Sequence, residues 1–446
     1  MTAPTPFKIH LTPENTGLLN IKQTSEAAKT VSDLLQQDLE SHHVFFNPSH
    51  FHNHIPHHLL TLYSTGAPPR SLRTAHTTNA SYQRPALPPH SPSPSSYPSS
   101  YLGNESYYPD FLRFFQHQIS SSSPAAVLSE YLFARTPQAE ALLVRMFSGF
   151  LHPLIQLLYG VEFNQPAIVA EALAQAAVHS DRGLGDFLLG AEKEAEAGGE
   201  GGGETMGELY DAVRGDGKLR GAARWGDGDK VREGVLGRAG AEMVKVAGRV
   251  RVGVGEGELE GRTAEMFDGA VGVAAAAALT SVRGGRGAKF DFFLIHHVNA
   301  APIFLALNKL EWIPRATKAR LLEWKMRMDL LQYAARGCPE LDLERVRVYQ
   351  PKCVEVGRGV KPIDIISRLH DFPDDGHAIK LGRAALICQE ACRTYEGTPV
   401  TDRFMIKGED MWERVLGLIV DSVEAPGPNW VRSAGFDEAW KDIPDA

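Results

Sequence analysis

Cysteine is scarce in this chain: Cys338, Cys353, Cys388 and Cys392 are the only four in 446 residues. So few exclude a disulfide framework and predict buried free thiols in a reducing, cytoplasmic setting. Cys388 and Cys392 stand one helical turn apart, but the other two lack the CxxC spacing that would complete a zinc site. Long apolar runs are missing as well. The longest, "AVGVAAAAAL" at 270–279, is too short and too alanine-rich to span a bilayer. The opening "MTAPTPFKIHLTPENTG" lacks the basic start and apolar stretch of a signal peptide. There is no positive excess either. A net charge of -8 argues against nucleic acid or an anionic membrane as a partner.

Nucleotide and nucleophile motifs are absent too. Gly253, Gly255 and Gly257 read G-x-G-x-G, and Glu256, Glu258 and Glu260 beside them would repel a phosphate. An NADPH or flavin site of the Rossmann kind has no visible home, and no Gly-x-Ser-x-Gly marks a serine nucleophile. Strand signals are reduced to "RVRVY" at 345–349.

What the chain does have is helical periodicity. Residues 26–40, 124–158, 164–179, 289–310, 314–337, 376–392 and 408–422 carry apolar residues at helical spacing. Pro166 sits where a first-turn proline belongs, after Asn164 or Gln165 as cap. The stretch 289–310 is apolar almost all round, as a buried core helix should be. Between these segments lie Pro/Ser-rich and Gly/Glu-rich tracts at 86–105, 190–207 and 248–262, read as loop insertions. The expectation is an all-α protein: one large helical domain spanning 1–446, with at most a few short strands.

Histidine is the second positive feature. Seven of 17 fall in "SHHVFFNPSHFHNHIPHHLLTLY" (41–63). His42, His43, His50 and His52 read as surface residues of a loop or helix start. Four histidine sites lie in apolar helical surroundings: "NHIPHHLL" (53–60), "GFLHPLIQLLYG" (149–160), "FFLIHHVNAAP" (292–302) and "GHAIKLGRAAL" (376–386). Each alone is most simply a hydrogen-bonded core histidine; four together suggest a metal site built between helices. In the last, His377 and Lys380 share a helical face, and a buried lysine is costly as an ammonium. It either reaches water or, as a neutral amine, takes up carbon dioxide to become an anionic carbamate.

As a set, "FHNHIPHHLLTLYSTGA", "NASYQRP" (79–85), "HPLIQLLYGVEFNQPAIVAEALAQAAVH", "FDFFLIHHVNAAPIFL", "DDGHAIKLGRA" and "MWERVLGLIVDS" resemble the questin oxidase-like family of fungal secondary metabolism. The resemblance runs from about residue 40 to 425. It implies oxidative, formally Baeyer–Villiger-type opening of a hydroxyanthraquinone polyketide to a benzophenone-type product. It also implies a non-haem Fe(II) centre held by four histidines and a carboxylated lysine, with dioxygen as co-substrate.

Carried over residue by residue, the resemblance makes His54 (N-H-x-P), His152 (H-P-L-I), His296 (H-x-V) and His377 with Lys380 (H-A-x-K) the ligands. The threonine usual after H-x-V is Asn299 here, so an amide rather than a hydroxyl would face the carbamate. His57, His58, His297, Tyr63 and Tyr159 are candidates for supporting the site or the substrate, and Phe150 and Phe293 could help wall a flat ring system. Two alternatives stand beside this reading. One is an NADPH-dependent monooxygenase of the same family without a catalytic metal. The other is a non-catalytic helical carrier of a polyketide intermediate.

Overall fold

The computed structural model describes residues 3–91, 97, 99–198, 203–280 and 285–445. Among these residues the fold is all-α, and β-structure is confined to isolated bridges such as His42 with Pro85 and Phe45 with His52. The chain forms two compact units. The first comprises Met1–Asp181, Leu305–Ile313 and Ser367–Arg383; the second comprises Arg182–Phe304, Pro314–Ile366 and Ala384–Ala446.

In the first unit, helices Ser25–Ser41, Ile55–Ser64 and Pro69–Ala80 pack on one another. Helix His152–Glu162 packs on Pro166–Val178, which also meets Tyr108–Ser121. Starts are specified locally. Thr24 accepts a hydrogen bond from the Ala27 N–H at the head of the first helix. Asn53 Oδ1 accepts one from Ile55 N at 2.9 Å, and Pro56 sits in the first turn. Arg383 ties three helices together: it pairs with Glu162, donates from Nε to Ser64 Oγ at 2.7 Å, and lies 5.3 Å from the Tyr159 ring centre. In the second unit, helix Glu258–Ala278 is buried along almost its whole length and packs against Phe292–Ala300 and Arg315–Ala335.

Several sequence expectations are corrected. "RVRVY" is not a strand: Leu343–Val348 is a helix, with ion pairs Asp342–Arg345 and Glu344–Arg347 at helical spacing. Its Arg/Val alternation imitates a strand, yet only Val346 is buried and Val348 is exposed. The apolar segment 289–310 is two helices, Phe292–Ala300 and Ile303–Asn308, because Pro302 removes a backbone donor between them.

The tract 190–207 begins inside helix Leu184–Ala197 and ends in Met206–Gly215, which Thr205 and Glu208 open with a capping box. The tract 248–262 runs into helix Glu258–Ala278, and 86–105 contains a 3-10 turn at Ser99–Tyr101. Residues 92–96, 98 and 199–202 of these tracts lie outside the described residues. Cys338, Cys388 and Cys392 are buried free thiols; Cys353 is partly exposed. Among the described residues no single helix is long and apolar enough to cross a membrane.

Candidate functional site

Three histidines from distant parts of the sequence meet in the first unit. His54 precedes helix Ile55–Ser64, His152 opens helix His152–Glu162, and His377 opens helix His377–Arg393. The rings of His54 and His152 are parallel with centres 5.1 Å apart, and His377 meets His54 edge-on at 4.6 Å. The Nε2 atoms of His54 and His152 face each other at 3.0 Å.

Their tautomers follow from what holds Nδ1. His152 Nδ1 donates to the Gly149 carbonyl at 2.7 Å. His54 Nδ1 meets Asp375 Oδ2 at 2.9 Å, and His377 Nδ1 meets the other oxygen of the same carboxylate. With the proton on Nδ1, a neutral ring has its lone pair on Nε2. Burial, reinforced by the Lys380 charge, pushes His54 down to about 3 despite Asp375, so His54 is a neutral imidazole. Asp375 is opposed by burial but held well below the usual carboxylate range by His377 and His54.

The 3.0 Å approach of the His54 and His152 Nε2 atoms puts two potential donor nitrogens side by side. Two metal–nitrogen bonds of about 2.1 Å at a right angle would place their nitrogens about 3.0 Å apart. His54, His377 and Asp375 form the one group of three potential metal-binding side chains among the described residues, a group in which Asp375 stands at the Nδ1 side of both rings. Imidazole and carboxylate are donor types that a transition-metal ion takes, so the chemistry of the cluster is compatible with one.

Local structure explains the placement. Asp374 caps the His377–Arg393 helix, accepting from Gly376 N at 2.7 Å and Ala378 N at 2.8 Å. Gly376 has φ +90, and a Cβ there would lie 2.5 Å from the His58 ring. Gly149, Phe150 and Leu151 all have positive φ immediately before His152, a strained run of the kind found at functional sites. Lys380, one turn after His377, is buried; burial lowers it to about 8, partly offset by Asp375 and Asp374.

The remaining candidates divide clearly. His57 is fully buried; burial, with the Lys380 charge, holds it well below the usual imidazole range against the pull of Gln156. Its ring stacks over Tyr159 and lies 5.9 Å from that of His54 and 6.1 Å from that of His152. Tyr159 itself bonds Thr61 Oγ1 at 2.6 Å. His58 has the opposite tautomer to His54. Asn79 donates to the Ala75 carbonyl and accepts from Tyr82, which fixes its amide, so its Nδ2 donates to His58 Nδ1 at 3.1 Å. Tyr63 packs edge-on against Phe163 and donates to the Thr12 carbonyl at 2.7 Å, which makes it a scaffold residue.

His296, His297 and Asn299 belong to the second unit. His296 Nδ1 donates to the Phe292 carbonyl at 2.6 Å, which again leaves the lone pair on Nε2. His297 is held by Asp329 at 2.6 Å, and Lys325 grips the same carboxylate. Asn299 is buried with neither amide atom hydrogen-bonded to a described group. Phe293 carries the Arg336 guanidinium 4.2 Å above its ring, and Phe150 is 38% exposed.

Some site residues escaped the sequence reading. His43 and His52 are buried, at 1% and 4% exposure, rather than on the surface. His52 stacks on His152 with ring centres 3.7 Å apart, and its Nε2 lies 2.8 Å from that of His179. The bridge between Phe45 and His52 turns His52 inward, a tertiary feature with no local signature. Asp375 was also missed, although its D-x-H spacing to His377 was readable. Next to the cluster, Asp38, His43, Asn53, Gln156, Glu171 and Gln175 line a cavity of ≈ 20 Å³, room for a single water. Glu171 accepts from Gln156 Nε2 at 3.0 Å, and burial together with Asp38 raises its carboxyl to about 8.

Fold and site define a class: an all-α protein with a buried cluster of histidines in its first unit. Comparison with known proteins gives the family. Residues 51–385 match the family model described as questin oxidase-like. The chain is 36% identical over 439 residues to the questin oxidase of Aspergillus fumigatus, covering 94% of each chain. It is 38% identical over 431 residues to a Baeyer-Villiger oxidase of Emericella nidulans, again covering 94% of each. A Baeyer-Villiger oxidase of Pestalotiopsis fici is 35% identical over 454 residues, covering 100% of both chains. The chain belongs to the questin oxidase-like family and is an oxidoreductase.

Proposed function

We propose that this enzyme uses dioxygen to open the quinone ring of a hydroxyanthraquinone, at an iron ion held by His54, His152, His377 and carboxylated Lys380. The observation that carries the reading is the 3.0 Å approach of the His54 and His152 Nε2 atoms, each with its proton committed to Nδ1. The substrate class comes from the relatives, whose names specify questin and Baeyer–Villiger oxidation. The iron's contribution, when bound, is electron exchange with dioxygen, which organic side chains do not supply.

The chain's own residues do the rest. Imidazole ligands carry no negative charge to offset a divalent ion; a carbamate on Lys380 contributes one. It forms when the amine nitrogen bonds to the carbon of carbon dioxide and releases a proton. Lys380 lies one turn from His377, buried and within electrostatic reach of His54, His57 and His58, which supports this role. His57, buried and stacked on Tyr159, offers a ring beside the cluster for holding a substrate hydroxyl or moving its proton. The resemblance also counts His296 as a ligand and Asn299 as the carbamate's neighbour. Those two assignments rest on the sequence motif, and the iron content of His296→Ala and Asn299→Ala tests them.

The deciding experiment is a single-component assay. Protein freed of metal by chelation is reloaded with ferrous iron without oxygen, then given a hydroxyanthraquinone and labelled dioxygen. Ring opening that returns with iron and proceeds without NADPH supports the reading. An absolute NADPH requirement in chelated protein favours a metal-independent monooxygenase.

A further inference from the structure

We propose that Asp375 is a positioning residue that fixes the tautomer of two metal-binding histidines at once, holding His54 and His377 with the proton on Nδ1. This deepens the iron reading and rests on it for what the Nε2 atoms bind. The geometry is specific. One carboxylate offers Oδ2 to His54 Nδ1 at 2.9 Å and Oδ1 to His377 Nδ1. An ionised carboxylate only accepts, so both contacts require an N–H on the ring. Both protons are thereby placed on Nδ1, and both lone pairs on the opposite nitrogen.

The chain around Asp375 fixes the carboxylate in turn. Asp374 is committed to capping the helix, and Gly376, with φ +90, turns the chain into it against the His58 ring. Asp375 and His54 are 321 positions apart in sequence, so the contact also fastens the entry of one ligand-bearing helix to that of another. Partners of this kind orient metal-binding imidazoles and raise their basicity.

Asparagine separates this role from simple packing. Asp375→Asn keeps the shape but offers one acceptor and one donor. It can satisfy one ring as found; the other must move its proton to Nε2, where it blocks a ligand position. The first measurement needs no metal. Nitrogen-15 histidine spectra of chelated protein, assigned with His54→Gln and His377→Gln, should show Nδ1–H for both rings. In Asp375→Asn one of the two should switch to Nε2–H.

The second measurement titrates chelated protein with ferrous iron or cobalt(II). Asp375→Asn should bind about 10- to 100-fold more weakly than wild type. Asp375→Glu, which keeps two acceptors, should retain both tautomers and stands in if the asparagine variant does not fold. An Nε2–H tautomer for either ring in the wild type overturns the proposal, as does unchanged tautomer and affinity in Asp375→Asn. Wild-type protein with both Nδ1–H tautomers that binds neither metal sinks the iron reading and leaves the positioning of the rings standing.

Discussion

His54 and His152 aim their Nε2 atoms at each other across 3.0 Å, in parallel planes, from positions 98 residues apart. Each proton is already committed, one to a carboxylate and one to a backbone carbonyl. Two nitrogens so placed are the pair that the proposed metal would join. The cost of arranging it is visible nearby, in the positive φ values of Gly149, Phe150 and Leu151.

Lys380→Ala should lower ring-opening turnover by about 100-fold or more, equivalent to about 3 kcal/mol of barrier. Short carboxylic acids such as acetate should restore part of it by occupying the carbamate's place. Full turnover in the alanine variant would show that Lys380 supplies no ligand.

Gly376→Ala should destabilise the protein and weaken metal binding together. The left-handed backbone alone costs an L-residue about 1–2 kcal/mol, and the new methyl meets the His58 ring at 2.5 Å. Relief of that contact displaces Asp375 and His377, which flank the glycine. Thermal melting with and without iron checks this; an unchanged melting temperature would mean the turn is not constrained as described.

Glu171→Gln should change how stability depends on pH. The native carboxyl titrates near about 8 because of burial and Asp38, whereas the unfolded chain's glutamate titrates near about 4.3. Between those values the folded state holds a proton that the unfolded state has released, so wild-type stability falls as pH rises across the window. Glutamine has no proton to lose and can still accept from Gln156. The variant should match wild type near pH 5 and exceed it near pH 8. Parallel melting curves at the two values would show that Glu171 ionises freely.

Much of the fold was legible because long amphipathic helices announce themselves: Ser25–Ser41, Pro166–Val178 and Arg315–Ala335 fall within a residue or two of the periodic stretches. Pro302 and the 342–348 ion pairs decided against the sequence reading, one by removing a donor and the other by rewarding helical spacing. At the site, motifs pointed to His54, His152 and His377, and the structure brings these three together in the first unit. The burial of His52 was not legible. It depends on a bridge to Phe45 and on stacking against a histidine 100 positions away. Nor was the Asp375 contact to His54, since no local pattern encodes a partner on another helix.

Iron analysis of anaerobically purified wild type, His54→Ala and His152→Ala, each checked for unchanged helical content, tests the facing-imidazole site most directly. About one iron per chain is expected in the wild type and less than about a tenth of that in either variant, with ring opening lost in step. Ring opening that survives complete removal of metal from the wild type, or iron retained in both variants, would contradict it.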